Sequence, residues 1–358
     1  MYHPEGGPME KAKFIIRADA SDTIGTGHIM RTLALAQVVK EYSFIQFLCS
    51  EITPNLIKLL NKESITVDFL PVLSGSEEDL NQTIQIAKTK QVDWIILDGY
   101  HFDESFINGL KRSGFRVLLF DDFANLDYYC ADIILNRGTF VNKEMYTNID
   151  KYSQLLIGPQ FTTLRKEFLD WQGVKPRIKA TPSNVLISMG GADPNNVTLS
   201  VIRLLEKVND FTMKVNVLLG PANKHKEYIN ANLAQFKLDL QIVEGDEDIP
   251  SLFNWADFAI TAGGTTLFEM AYMGLPSIVI QIAENQKSAQ ILAERYHTCL
   301  YLGKDTSITL HDFKGALKKM EDPNVRKKMI VNGQNLIDGR GSERILEKLN
   351  LIKSDDFE

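Results

Sequence analysis

Phe14-Ile15-Ile16-Arg17-Ala18-Asp19-Ala20-Ser21-Asp22-Thr23-Ile24-Gly25-Thr26-Gly27-His28-Ile29-Met30-Arg31 decides how this chain folds. It opens with a short β-rich run and passes through a loop containing Gly25 and Gly27. A helical pattern follows over about 28–40, with Leu33, Leu35, Ala36 and Val39 on its apolar side. A strand delivered into a helix through a glycine turn is the opening unit of a doubly wound α/β sheet. Outward from it, short apolar runs recur at 44–48, 66–70, 94–97, 117–120 and 133–135, with helical stretches at 77–89 and 103–112 between them. Continuous apolar strands alternating with helices indicate a parallel sheet covered on both faces.

The alternation weakens around 152–177, where Gly158-Pro159 and Val174-Lys175-Pro176-Arg177 mark a connection. It restarts at 184–188 and supplies further strands at 215–219, 240–243, 258–261 and 278–280, before a helical tail over about 311–351. A chain of 358 residues exceeds the roughly 250–300 at which a single core stops growing, so two domains are expected. The division expected is an N-terminal Rossmann-like domain over 10–160, a linker over 161–182 with a hinge near 158–182, a C-terminal Rossmann-like domain over 183–340, and a helical tail over 341–358. Two such halves face each other across a cleft, and domain interfaces are favoured places for small ligands.

The net charge of −7 disfavours nucleic acid as a partner. Cys49, Cys130 and Cys299 are odd in number and contain no CxxC, which fits a reducing, cytoplasmic setting. No apolar run approaches the roughly 20 residues of a spanning helix. The stretch Met1 to Pro8 lacks the apolar core of a signal peptide and reads as a loose leader, and a second Met at Met9 is consistent with that.

The candidate site residues fall just after strands. Gly25 and Gly27 allow a tight turn and a close approach to a ligand. His28 falls at a helix start, where the positive end of the dipole favours the neutral imidazole that a general base needs; a capping or surface role is the plainer alternative. A dinucleotide fingerprint fails because Met30 stands where its third glycine belongs, although Glu51 lies after the second strand as a ribose ligand would. In the second half, Ser188-Met189-Gly190-Gly191-Ala192-Asp193 and Gly263-Gly264-Thr265-Thr266-Leu267-Phe268-Glu269 each follow a strand. Paired glycines before a helix present N–H groups to phosphate, and two such loops in one half indicate a diphosphate site. Thr265 and Thr266 either cap the helix or give a hydroxyl to phosphate, and Glu269 is placed to accept from ribose hydroxyls. Asn285-Gln286 lies in a loop after the 278–280 strand, where amides can bind sugar or water or simply be solvated. No GxxxxGK[ST], HxxxH or HExxH is present, so neither a P-loop nor a zinc site is expected.

These residues together resemble a family. Arg17-x-Asp19, Gly25-x-Gly27-His28-x-x-Arg31, Ser188-Met189-Gly190-Gly191-x-Asp193, Gly263-Gly264-Thr265-Thr266-x-x-Glu269 and Glu284-Asn285-Gln286 look like the UDP-sugar hydrolases of pseudaminic acid biosynthesis. Spore-coat polysaccharide biosynthesis proteins share the pattern. The resemblance runs from about 14 to 301 and implies a GT-B type fold with the sugar in the N-terminal half and UDP in the C-terminal half. It implies hydrolysis of UDP-2,4-diacetamido-2,4,6-trideoxy-β-L-altropyranose by water attack at the anomeric carbon with inversion, metal-independent and without a cofactor, upstream of flagellin or spore-coat glycosylation. His28 would be the base; Asn285 and Tyr100, in Leu97-Asp98-Gly99-Tyr100-His101, would act with it. Gly190, Gly191, Gly264, Thr265 and Thr266 would hold diphosphate and Glu269 ribose, with Arg17, Asp19, Gly25, Gly27, Arg31 and Gln286 as further substrate contacts. A monomer or weak oligomer without stable membrane association is expected. Two alternatives stand beside this reading: a GT-B glycosyltransferase using the same donor, and a non-catalytic sugar-nucleotide sensor.

Overall fold

The structure, a computed structural model, describes residues 12–21, 23–208, 212–244 and 248–352. The leader and Met9 lie outside the described residues. The first lobe is built on β1 (Lys13–Ala18), β2 (Phe44–Cys49), β3 (Val67–Phe69), β4 (Trp94–Asp98), β5 (Arg116–Phe120), β6 (Ile133–Asn136) and β7 (Gln154–Ile157), in the order β3-β2-β1-β4-β5-β6-β7. The second is built on β8 (Asn184–Ser188), β9 (Lys214–Leu219), β10 (Leu240–Glu244), β11 (Phe258–Ala262), β12 (Ser277–Gln281) and β13 (Leu300–Lys304), in the order β10-β9-β8-β11-β12-β13. Both sheets are parallel throughout, as the apolar runs require.

Alternate residues of β1 feed different cores. Phe14, Ile16 and Ala18 pack with Ile29, Leu33 and Ala36 of the helix Gly27–Tyr42. Ile15 faces the other way, into a cluster with Leu97, Ile107 and Val117. This two-sided burial is why the strands read as unbroken apolar runs. The helix Glu77–Thr89 opens where Ser76 accepts from the Asp79 N–H, and Glu104–Arg112 opens where Asp103 accepts from the Phe106 N–H.

Each sheet reverses its winding direction once, between β1 and β4 in the first and between β8 and β11 in the second. At such a reversal the flanking loops diverge and leave a crevice beyond the carboxyl ends of the strands. The loops after β1 and β4 carry Gly25 to His28 and Tyr100; those after β8 and β11 carry Gly190-Gly191 and Gly263 to Thr266. The glycine turns, His28 and Tyr100 therefore sit at the two reversals, whereas Asn285 and Gln286 follow β12.

β7 and β13 are absent from the sequence reading. Both are short edge strands with partly exposed faces, and glycine interrupts their apolar runs at Gly158 and Gly303. The connection after β7 runs along the helix Gly27–Tyr42: Thr163 Oγ1 donates to the Arg31 carbonyl at 2.9 Å, and the Lys166 N–H donates to Gln37 Oε1 at 2.9 Å. The last helix, Gly341–Lys348, packs on the first lobe: Ile345, Leu346, Leu349 and Ile352 join its core. Among the described residues, no helix is long and apolar enough to cross a membrane.

Candidate active site

The turn before the first helix is set by Gly25, whose φ of +82° lies in the left-handed region and whose N–H donates to the Ser21 carbonyl at 2.8 Å. The helix begins at Gly27, so His28 stands in its first turn with 5% of its surface exposed. Its Nδ1 meets Asp98 Oδ1 at 2.5 Å. Asp98 is the last residue of β4, the strand beside β1 in the sheet, and is fully buried. One helical turn beyond His28, Arg31 donates from Nε and Nη2 to the two Asp98 oxygens, each at 2.5 Å. From Nη1 it grips both oxygens of Asp122 at 2.7 and 2.9 Å.

Burial pushes the Asp98 carboxyl upward, but the Arg31 guanidinium and the hydrogen bonds from Arg31 and His28 outweigh it and hold it below the usual carboxylate range. An ionised Asp98 accepts the Nδ1–H of His28, which leaves the Nε2 lone pair as the free basic atom of the ring. Beside the positive end of the helix dipole stands this carboxylate, which fixes the tautomer and the orientation of the ring. The Tyr100 ring meets the imidazole edge-on, with centroids 4.8 Å apart and planes at 78°. Its hydroxyl donates to Asp122 Oδ2 at 2.7 Å and accepts from Asn285 Nδ2 at 2.9 Å. His28, Tyr100 and Asn285 are thus brought together, although Asn285 belongs to the opposite lobe.

The glycine loops of the second lobe close against this group. A Cβ on Gly27 would come to 3.8 Å from Thr265 Oγ1, and one on Gly191 would overlap the Thr26 side chain. Gly190 is left-handed at φ +78°, and Asp193 beyond it accepts from the Val197 and Thr198 N–H groups at 2.8 and 3.0 Å, ending that loop in a helix. Gln286 Oε1 accepts from the Gly263 and Ile282 N–H groups at 3.2 and 3.0 Å, so it shapes the Gly263–Thr266 turn. Thr265 precedes the helix Thr266–Met273 without capping it through its side chain. Instead its Oγ1 accepts from Arg137 Nη2 at 2.8 Å. Glu269 is 4% exposed and lines the cleft, and its Oε1 accepts from Arg165 Nε at 2.9 Å.

Two expected substrate contacts are not at the cleft. Arg17 and Asp19 are both fully buried and knit the floor beneath the glycine turn. Arg17 donates to Asp79 at 3.0 and 2.7 Å, to Asp19 at 2.8 Å and to Ser50 Oγ at 2.6 Å. Asp19 also accepts from the Ser50 N–H at 2.6 Å and from Ser74 Oγ at 2.8 Å. A buried guanidinium needs its donors satisfied locally, and here the carboxylates leave nothing to reach a ligand. Arg31 does line the cleft, but its donors are occupied by Asp98 and Asp122, so it acts on the histidine's partner. The sequence reading missed Asp98, Asp122, Arg137 and Arg165. Asp98 ends β4 and Asp122 follows β5 by two residues, but what they do depends on sheet order, which no local pattern reveals.

Residues 185–333 match the model of the glycosyltransferase family 28 C-terminal domain. The chain is 27% identical to an uncharacterized protein of Methanocaldococcus jannaschii over 77% of this chain, a match that spans 57% of that longer protein. It is 23% identical to the spore coat polysaccharide biosynthesis protein SpsG of Bacillus subtilis, over 92% of this chain and 95% of that one. It is 25% identical to the UDP-2,4-diacetamido-2,4,6-trideoxy-β-L-altropyranose hydrolase of Campylobacter jejuni, over 77% of this chain and 94% of that one. In three dimensions it is similar to MurG of Acinetobacter baumannii, with a TM-score of 0.64 and 15% identity over 95% of this chain and all (100%) of the other. The architecture is GT-B, and the likeness to these hydrolases and spore-coat proteins extends well beyond the motifs that first suggested it.

Proposed function

We propose that this chain hydrolyses a UDP-activated diacetamido-trideoxy sugar, UDP-2,4-diacetamido-2,4,6-trideoxy-β-L-altropyranose, to UDP and the free sugar in pseudaminic acid-type biosynthesis. The observation that carries this reading is His28, held by Asp98 at 2.5 Å, lining one cleft with the glycine loops of the other lobe. In the proposed reaction, His28 Nε2 takes a proton from a water molecule. The water oxygen bonds to the anomeric carbon from the face opposite the leaving group, the bond from that carbon to the phosphate oxygen breaks, and UDP departs with inversion. Asn285 and Tyr100, joined at 2.9 Å, position sugar or water between the lobes. The N–H groups of Gly190, Gly191, Gly264, Thr265 and Thr266 and the helix start at Thr266 receive the diphosphate, and Glu269 the ribose. UDP is already a good leaving group, so a base and fixed dipoles suffice without a metal.

The family 28 match favours a second reading, transfer of the same sugar to an acceptor. One assay separates them. The purified chain is incubated with the UDP-sugar and a chelator, without acceptor, while phosphorus NMR follows UDP and proton NMR follows the anomer released. Rapid release of inverted sugar supports hydrolysis; substrate that stays intact until an acceptor is added supports transfer. His28→Ala should lower kcat by roughly 10²–10⁴-fold with UDP affinity little changed. A fully active variant would remove His28 as the base.

A further inference from the structure

Arg137 follows β6 at the cleft end of the first sheet and reaches across to the second lobe. Its loop is held there by three bonds: Nη2 donates to Thr265 Oγ1 at 2.8 Å, and Thr139 donates from its N–H to Ser288 Oγ and from its hydroxyl to the Ser288 carbonyl, both at 3.2 Å. The guanidinium lies over the Phe268 ring, 5.3 Å from its centroid, and the residue is only 6% exposed. Nη1 is buried and has no hydrogen-bond partner.

The charges around it are otherwise matched. Asp98 is taken by His28 and Arg31, Asp122 by Arg31 and Tyr100, and Glu269 by Arg165. Among the described residues, Arg137 forms no ion pair. Burial and the neighbouring Arg31 lower its pKa to about 10, so it stays charged at neutral pH. A buried cation with an idle donor, bonded to the threonine of a phosphate-type loop, is costly unless an anion completes it.

We propose that Arg137 binds the diphosphate of the nucleotide sugar through Nη1 and stabilises the negative charge that builds on it as the sugar bond breaks. The inference rests on the UDP-sugar reading and adds a ligand from the sugar-side lobe to a diphosphate site otherwise made by the other lobe. A charged donor of this kind is expected to matter more as the diphosphate leaves than in the resting complex.

Calorimetric titration of UDP and uridine into the wild type and Arg137→Met tests it. The expected result is a roughly 10- to 100-fold loss of UDP affinity in the variant, with uridine affinity within about twofold of wild type. Arg137→Lys should regain part of the UDP affinity. A wild-type ratio of UDP to uridine affinity in Arg137→Met overturns the proposal and leaves Arg137 as a strut between the lobes. Equal losses for both ligands overturn it too, because the defect is then in the pocket as a whole. A wild type that binds neither ligand refutes the UDP-sugar reading itself, a separate outcome.

Discussion

Asp98 contributes to the site only through another residue. It does not line the cleft, yet as an acceptor at Nδ1 it favours the tautomer of His28 with its proton on that nitrogen. Asp98→Asn keeps the shape and removes the charge. The expected outcome is a fall in kcat of about 10³–10⁴-fold with UDP affinity largely retained, read by steady-state kinetics and titration. Unchanged kcat would show that the tautomer is fixed elsewhere. His28, Tyr100 and Asn285 could be picked from the sequence because each lies in a short pattern whose chemistry is local. Asp98, Asp122 and Arg137 could not, because their meaning depends on partners 70, 91 and 128 positions away in the chain. Arg17 and Asp19 failed for the opposite reason. Their pattern is local and their charges suggest a ligand, but burial matches them to each other and to Asp79.

At the level of elements, most strands were legible because burial on both faces leaves a continuous apolar run. β7 and β13 escaped because glycine cuts their apolar runs short: Gly158 directly follows β7, and Gly303 lies within β13. What no single run reveals is strand order, and order is what places the loops after β1, β4, β8 and β11 at two facing crevices. The meeting of the Thr26 and Gly191 loops follows from that arrangement. Gly191→Ala should obstruct the approach of the loops, because the added methyl overlaps the Thr26 side chain. Activity is expected to fall about tenfold or more while the melting temperature changes by only a few degrees. Thr26→Gly in the same chain should restore part of the activity by vacating that space. Failure of the second change to help would mean that the alanine acts by some route other than contact with Thr26.

Across the whole molecule, the sequence reading set the tail apart from both lobes, whereas its described part, through Ile352, belongs to the first lobe's core. The amphipathic pattern of the helix Gly341–Lys348 shows that it needs a partner but not which one. Gly341 also fits tightly against the Thr162 backbone, where a Cβ would collide with the carbonyl. Removing residues 341–358 strips Ile345, Leu346, Leu349 and Ile352 from that core. Each buried aliphatic side chain contributes on the order of 2 kcal/mol, so calorimetry should show a large loss of stability centred on the first lobe. A truncated chain that melts like the intact one would deny the helix this role.

Because the chain leaves the first lobe after β7 and returns to it at Gly341, two separate covalent tethers join the halves. A single tether would let one half swivel freely about the other. A pair restrains that swivel, as two pins hold a plate that one pin would leave free to turn. The route of the backbone alone therefore narrows the ways in which His28 can sit opposite the glycine turns of the other half.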